Sequence, residues 1–486
     1  MWRATQQIGV KLIFLIRLVI LARLLSPEDF GLLAISSLVI DVLIRVTDFG
    51  MIPALVQSID ADEKHYDVAW TVGILRALTV TAVTILAAPL VAQIFHEPRT
   101  LNIIRMLALR PIIDAAASIR VAGLTRDLHF RSLALMELPK ALANTLLSII
   151  LASRLGVWCL VAGSLAGSVT YLLASYLLAP CRPRLSLDSR AAQPLIRFGR
   201  WIFLTSLTVM AGQSVLRAVV ARQLGAGELG LYYLAVSLAF LPVEIASQIV
   251  GEVAFPFYSR LQADIRQATL AFRSILISLL TLLLPSLALL IVLAPSLVQT
   301  VLGPQWEGTE PIIQVLALAN IIGLLGESIV PVLQGSGRPD RVWMIEMIQS
   351  SVLISFVWGL TNLYGVVGTA LAWIPAVIAS QFIGISFVRR TLTRPFAGLG
   401  KPIAIVAIIS TLTASTAVVV DKATAGLSGF VLACLLGLIL AAAMLWTVER
   451  RYGLGLSEGL VRAFPRLATL MGLSHVSYAR VDTLER

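Results

Sequence analysis

Charged side chains stand where the sequence is otherwise apolar. Arg17, Asp41, Arg45, Arg110, Asp114 and Glu244 fall near the centres of long hydrophobic runs, and Asp48, Arg76, Arg217 and Glu327 lie off-centre in theirs. A charge at mid-bilayer costs about 2.5–3.5 kcal/mol even on the mildest scale, so each must face a partner or a water-filled cavity. Asp41, Arg45 and Asp48 follow i, i+4, i+7 and share one helical stripe. Arg110 and Asp114 are likewise i, i+4, so both sets read either as local ion pairs or as groups lining a cavity. Arg17 and Arg76 have no partner on their own helix. Arginine suits an anionic head group, because its guanidinium offers a bidentate fork and stays charged at any depth. Arg17, Arg76, Arg110 and Arg45 are therefore the candidate anion-binding residues. Glu244, Glu327, Asp41 and Asp114 are the candidates for titrating with a coupling H⁺ or coordinating Na⁺, and each Glu reads equally as a helix-packing hydrogen bond. Glu137 and Lys140, at i, i+3, are expected to pair with each other; Glu252 and Glu346 lie at a similar depth.

The elements that must hold these charges are transmembrane helices. The chain of 486 residues is 58% hydrophobic and only 13% charged, with a mean hydropathy of +0.89. A soluble domain carries about 25% charge. The long unbroken apolar runs exclude a barrel of alternating strands and predict an all-α polytopic membrane protein with about fourteen transmembrane helices. The first apolar helix, from Ile8 to Leu25, lacks a small-residue cleavage site and is expected to stay as the first span. Pro53, Pro111, Pro242, Pro331 and Pro375 interrupt spans and permit bending.

Loop charges set the expected orientation. Arginines crowd the loops on the side of the N-terminus, as at Arg182, Arg184, Arg190, Arg197 and Arg200, whereas Ala294 to Glu310 holds no Lys or Arg. Both termini are thus expected in the cytoplasm. The net charge of +11 is topological and implies no nucleic acid. Cys159, Cys181 and Cys434 have no metal or redox spacing and read as small hydrophobes. No metal-spaced cluster, nucleophile constellation or Gly-rich phosphate loop accompanies the histidines at 65, 96, 129 and 475.

The sequence also repeats itself. Ala22-Arg-Leu-Leu-Ser-Pro-Glu-Asp-Phe-Gly-Leu32 reappears as Ala221-Arg-Gln-Leu-Gly-Ala-Gly-Glu-Leu-Gly-Leu231. Glu137 and Gly156-Val157 match Glu346 and Gly365-Val366 at one offset, and Gly123-x-x-Arg126 echoes Gly335-x-x-Arg338. Two six-helix pseudo-repeat lobes of one orientation follow, an N-lobe at 1–180 and a C-lobe at 198–390 joined by a cytoplasmic linker at 181–197. Two additional helices at 391–448 and a cytoplasmic tail at 449–486 complete the plan. The first lobe is richer in buried arginine, the second in buried glutamate.

Leu21-Ala-Arg-Leu-Leu-Ser-Pro-Glu-Asp-Phe-Gly-Leu-Leu-Ala34, with Asp48-Phe-Gly, Ala54-Leu-Val-Gln57 and Arg126-Asp-Leu-His-Phe-Arg131, resembles the bacterial polysaccharide repeat-unit flippases (O-antigen and exopolysaccharide) of the multidrug/oligosaccharidyl-lipid/polysaccharide exporter superfamily. Members of that family carry more polar residues before the first helix, so an earlier start than Met1 is expected. The resemblance implies a transporter of the bacterial inner membrane, not an enzyme, that moves an undecaprenyl-pyrophosphate-linked oligosaccharide to the outer leaflet by alternating access. Its implied partners are that lipid-linked oligosaccharide, membrane lipids and other polysaccharide-assembly membrane proteins; it implies no cofactor. A drug/cation antiporter and a peptidoglycan lipid-precursor flippase share the architecture. A membrane glycosyltransferase or polymerase is the reading from another class, and it would need a larger external loop than Ala294 to Glu310.

Overall fold

The computed structural model describes residues 2–48, 51, 55, 63–127, 129–186, 200–247, 258, 264–424 and 426–452. Pro53, Glu252, the linker from 187 onward and the tail beyond 452 lie outside these residues. Every regular element described is helical. The chain packs as two compact units, Met1–Leu234 with Leu302–Thr309 and Ser350–Ala372, and Ala235–Val301 with Glu310–Gln349 and Trp373–Arg486.

The first unit begins with α1 (Trp2–Leu24), α2 (Pro27–Val46) and α3 (Glu63–Ile94). The turn between α1 and α2 is set by a capping box: the Asp29 backbone N–H donates to Ser26 Oγ at 3.3 Å, and the Ser26 N–H donates back to Asp29 Oδ2 at 3.0 Å. Pro27 then occupies the first turn, where its missing N–H costs nothing. The other oxygen of Asp29 accepts from the Val157 N–H at 3.1 Å, so the acid of the recurring motif braces a second turn as well.

One expected span is broken. The sequence predicts a single helix over 101–124, but the chain forms α4 (Thr100–Leu107), α5 (Arg110–Ala115) and α6 (Val121–Arg126). Pro111 sits in the first turn of α5, where it cannot donate to the preceding helix. The segment after α5 is claimed by tertiary bonds instead: the Ser118 N–H donates to Ser175 Oγ at 2.9 Å and Ser118 Oγ to the Ala179 carbonyl. Beyond it, α7 (Phe130–Leu155) and α8 (Trp158–Leu178) form a close hairpin. A Cβ on Gly163 would lie 2.0 Å from Ser148 Oγ and 2.7 Å from the Asn144 carbonyl. Small residues let helices approach in this way where lipid offers no hydrophobic drive.

Two other expected boundaries fall at glycines, where two helices meet at a kink with non-helical backbone. α9 (Arg200–Ala239) bends at Gly225, and α12 (Pro339–Leu371) bends at Gly365. Gly365 has φ 60° and ψ −143°, and its counterpart in the repeat, Gly156, has φ 51° and ψ −133°. Both adopt a backbone that suits glycine and resists other residues.

The recurring motif meets its own copy. A Cβ on Gly31 would lie 1.7 Å from the Ala226 carbonyl oxygen, and one on Gly230 would lie 1.8 Å from that of Pro27. Gly31 and Gly230 are equivalent in the repeat, as are Pro27 and Ala226, so the crossing of α2 with α9 is reciprocal.

The second unit contains α10 (Ile265–Ser296), α11 (Thr309–Gly335), the start of α12, α13 (Trp373–Thr391), α14 (Gly400–Ala423) and α15 (Leu427–Tyr452). Its core runs along α10 through Phe272, Leu276, Leu283 and Leu287 and takes in Val406 and Ile409 of α14. Among the described residues nine helices are long and apolar enough to cross a membrane. α2, expected as a span, is not among these nine because of the charges it carries, Glu28, Asp29, Asp41 and Arg45.

Candidate functional site

The intramembrane charges separate into a cationic cluster in the first unit and an acidic cavity in the second. Arg17 projects from α1, which packs on α7. Its Nη1 donates to Asn144 Oδ1 at 2.5 Å, and its guanidinium lies 5.4 Å from the centre of the Phe14 ring. Among the described residues no carboxylate lies within ion-pair distance of it. A neutral amide can orient a guanidinium but cannot cancel its charge.

Tyr233 on α9 is the common neighbour, interacting electrostatically with Arg17, Arg110, Arg217 and Asp41. Residues from α1, α2, α5 and α9 therefore meet in one place. Arg217 Nη1 stands 3.4 Å from Asp41 Oδ2, and Arg110 Nε stands 3.3 Å from Asp114 Oδ2. Three arginines face two aspartates, which leaves the cluster with the unneutralised charge of Arg17. The α2 stripe does not pair with itself: Asp41 meets Arg217, and Asp48 meets Arg76 of α3 at 3.1 Å. Arg45 is exposed. Of the anion candidates, Arg17 and Arg110 are brought together, whereas Arg76 is held by Asp48.

A second polar group lies on the same helices. Lys140 Nζ is 3.6 Å from Glu137 Oε2 and 4.6 Å from the centre of the Tyr171 ring. Glu137, Lys140 and Asn144 follow i, i+3, i+7 and so share the face of α7 that receives Arg17.

In the second unit a cavity of about 380 Å³ is lined by Ser247, Asn320, Glu327, Glu346, Gln349 and Gln381, with Phe240 and Trp373 among its apolar walls. Ser247 Oγ donates to Glu327 Oε2. Glu346 is an electrostatic neighbour of Glu327. Gln381 Nε2 donates to the Gly323 carbonyl at 3.2 Å, while its Oε1 is buried without a hydrogen bond among the described residues. Glu244 is exposed on the helical segment at 241–247 and does not line this cavity. Thus Glu327 is drawn into a site and Glu244 is not. Arg217, Asn144 and Tyr233 on one side, and Glu346 on the other, complete groups that intramembrane charge alone does not fully identify. The signal for Glu346 was its match to Glu137 in the repeat.

Comparison with known proteins adds a family. The family model described as polysaccharide biosynthesis protein matches residues 20–311. The chain is 23% identical over 388 residues to the lipopolysaccharide biosynthesis protein WzxC of Escherichia coli K12, covering 79% of this chain and 78% of that protein. It is 24% identical over 390 residues to the succinoglycan biosynthesis transport protein ExoT of Rhizobium meliloti, covering 80% and 78% respectively. Among solved structures the fold is similar to the lipid II flippase MurJ in an inward closed conformation, with a TM-score of 0.77 at 15% identity over 92% of this chain and 98% of that one. An inward-facing multidrug resistance MATE family transporter follows with a TM-score of 0.61 at 15% identity, covering 81% and 98%.

Proposed function

Because the chain belongs to the polysaccharide biosynthesis protein family, we propose that it is a flippase for undecaprenyl-pyrophosphate-linked oligosaccharide repeat units. It carries them across the bacterial inner membrane by alternating access, with both termini in the cytoplasm. The reading rests on Arg17. A guanidinium near the middle of the apolar run of α1, oriented by Asn144 and beside Arg110, is suited to hold an anion. A pyrophosphate satisfies it, and its second charge falls to Arg110 and Arg217. The lipid tails stay in the bilayer while the head group crosses inside the protein. The lobes at 1–180 and 198–390 are the bodies that exchange access, and a coupling H⁺ or Na⁺ drives them. Membrane proteins of the same assembly line supply and consume the substrate.

A drug/cation antiporter of the same superfamily would place carboxylates, not an excess arginine, at this position in the first unit. The decisive experiment is to delete the gene and extract the lipids. A complete lipid-linked repeat unit is expected to accumulate with its synthesis intact, and an Arg17→Glu copy is expected not to clear it. Disappearance of the unit would overturn the reading in favour of an upstream enzyme.

A further inference from the structure

Glu346 differs from its counterpart in one telling way. Glu137 has Lys140 one turn on, at 3.6 Å. Glu346 has Gln349 at the same step of the repeat. Both glutamates stand seven residues into their helices, Phe130–Leu155 and Pro339–Leu371. The cation that neutralises the first copy is therefore missing from the second.

The surroundings replace that cation with another acid. Glu327 lines the same cavity and stands eight residues before Gly335, the end of α11. With a rise of about 1.5 Å per residue, the two carboxylates lie about 10–12 Å in from the α11–α12 turn, at one depth. Among the described residues no Lys, Arg or His lines the cavity. The basic residue nearest in sequence to Glu346, Arg341, donates to Thr391 Oγ1 at 2.9 Å and stacks 5.4 Å from the Phe387 ring. From the remaining walls come the hydroxyl of Ser247 and the amides of Asn320, Gln334, Gln349 and Gln381. Asn320 Nδ2 is already committed to the Ala239 carbonyl.

We propose that Glu327 and Glu346 form a two-carboxylate site that holds one proton between them and releases it as the coupling ion of the transport cycle. Two neighbouring carboxylates in a cavity lined by no described cation repel each other when both are ionised, and one proton removes the repulsion. Gln381 Oε1, buried without a donor among the described residues, is the acceptor a protonated carboxyl requires. The coupling role rests on the transporter reading above; occupation of the site by a proton does not.

The test therefore has two arms, both on the full-length protein in lipid vesicles. In the first, infrared spectra at neutral pH are expected to show a carboxylic-acid C=O band in the wild type. The double variant Glu327→Gln with Glu346→Gln should lack it, while Glu346→Asp and the surface variant Glu63→Gln should retain it. Absence of the band from the wild type, or its persistence in the double variant, overturns the site. So does retention of ²²Na⁺ by the wild type that the double variant loses, because the site would then hold sodium. In the second arm, a pH dye trapped in the vesicles reports proton movement when lipid-linked oligosaccharide from the deletion strain is added. Flux is expected in the wild type and at least a tenfold loss in either single Gln variant. A titrating band without substrate-dependent flux overturns the coupling role. The lipid-accumulation experiment stands apart from both arms, so failure of the flippase reading is distinguishable.

Discussion

Arg17 owes its function to the neutrality of what holds it. Asn144 Oδ1 fixes one nitrogen at 2.5 Å and leaves the positive charge for a ligand. Asn144→Asp would place an anion at that position and neutralise the arginine internally. A charged hydrogen bond of this kind is worth about 1.5–3 kcal/mol, so polysaccharide export is expected to fall at least about tenfold at unchanged protein level. Surface polysaccharide measured against immunoblotted protein checks this, and Asn144→Gln is the milder control. The arginines were legible in the sequence because a charge in an apolar run is conspicuous. Asn144 and Tyr233 were not, since an amide and a phenol are ordinary occupants of a membrane helix. Their role comes from which helices meet, and spacing along one helix carries no such information. For the same reason the sequence shows that Arg76 needs a partner or a cavity but does not name Asp48, which the packing of α3 brings to it.

Helices and turns carry the next level of constraint. The capping box at Ser26 holds the entrance of α2 and positions Asp29 for the Val157 N–H. Ser26→Ala is expected to cost about 1 kcal/mol, seen as a lower unfolding temperature in detergent. Gly163→Ala should be worse, because the added carbon would meet Ser148 Oγ at 2.0 Å. Overpacking of this kind costs about 1–3 kcal/mol. Parting α7 from α8 also shifts Asn144, so this variant should lose export as well as thermal stability. Apolar runs announced most of the helices, whereas the bends at Gly225 and Gly365 fall at glycines and not at the prolines. The division of 101–124 into three pieces was hidden, because the serine bonds that replace helical ones come from α8 and the segment after it.

At the scale of the molecule, the loop arginines predict where the ends lie. Reporter fusions at both termini are expected to behave as cytoplasmic, and a fusion within 303–308 as periplasmic. Opposite results would reverse the assigned direction of transport. The last two helices are integral to the second unit. Gly437 of α15 admits the Leu289 side chain of α10, and α14 buries Val406 and Ile409 in the shared core. Truncation before residue 400 is therefore expected to abolish accumulation of the protein. The sequence marked these helices as additions because they lack a counterpart, which speaks to their origin and not to their weight in the core. The repeat was readable as matched letters; that Gly156 and Gly365 share a backbone conformation gives those letters a physical cause.

The crossing at Gly31 and Gly230 has the form of a homodimer interface retained within one polypeptide. Each copy of the motif supplies both the notch and the oxygen that fills the other's notch. Two positions 199 residues apart in sequence therefore answer to a single steric constraint. Neither can gain a side chain independently, and the damage from altering both should be less than the sum of the separate losses. Gly31→Ala and Gly230→Ala, alone and together, form a double-mutant cycle in which that shortfall in the loss of unfolding temperature measures how fully the two halves still act as one pair.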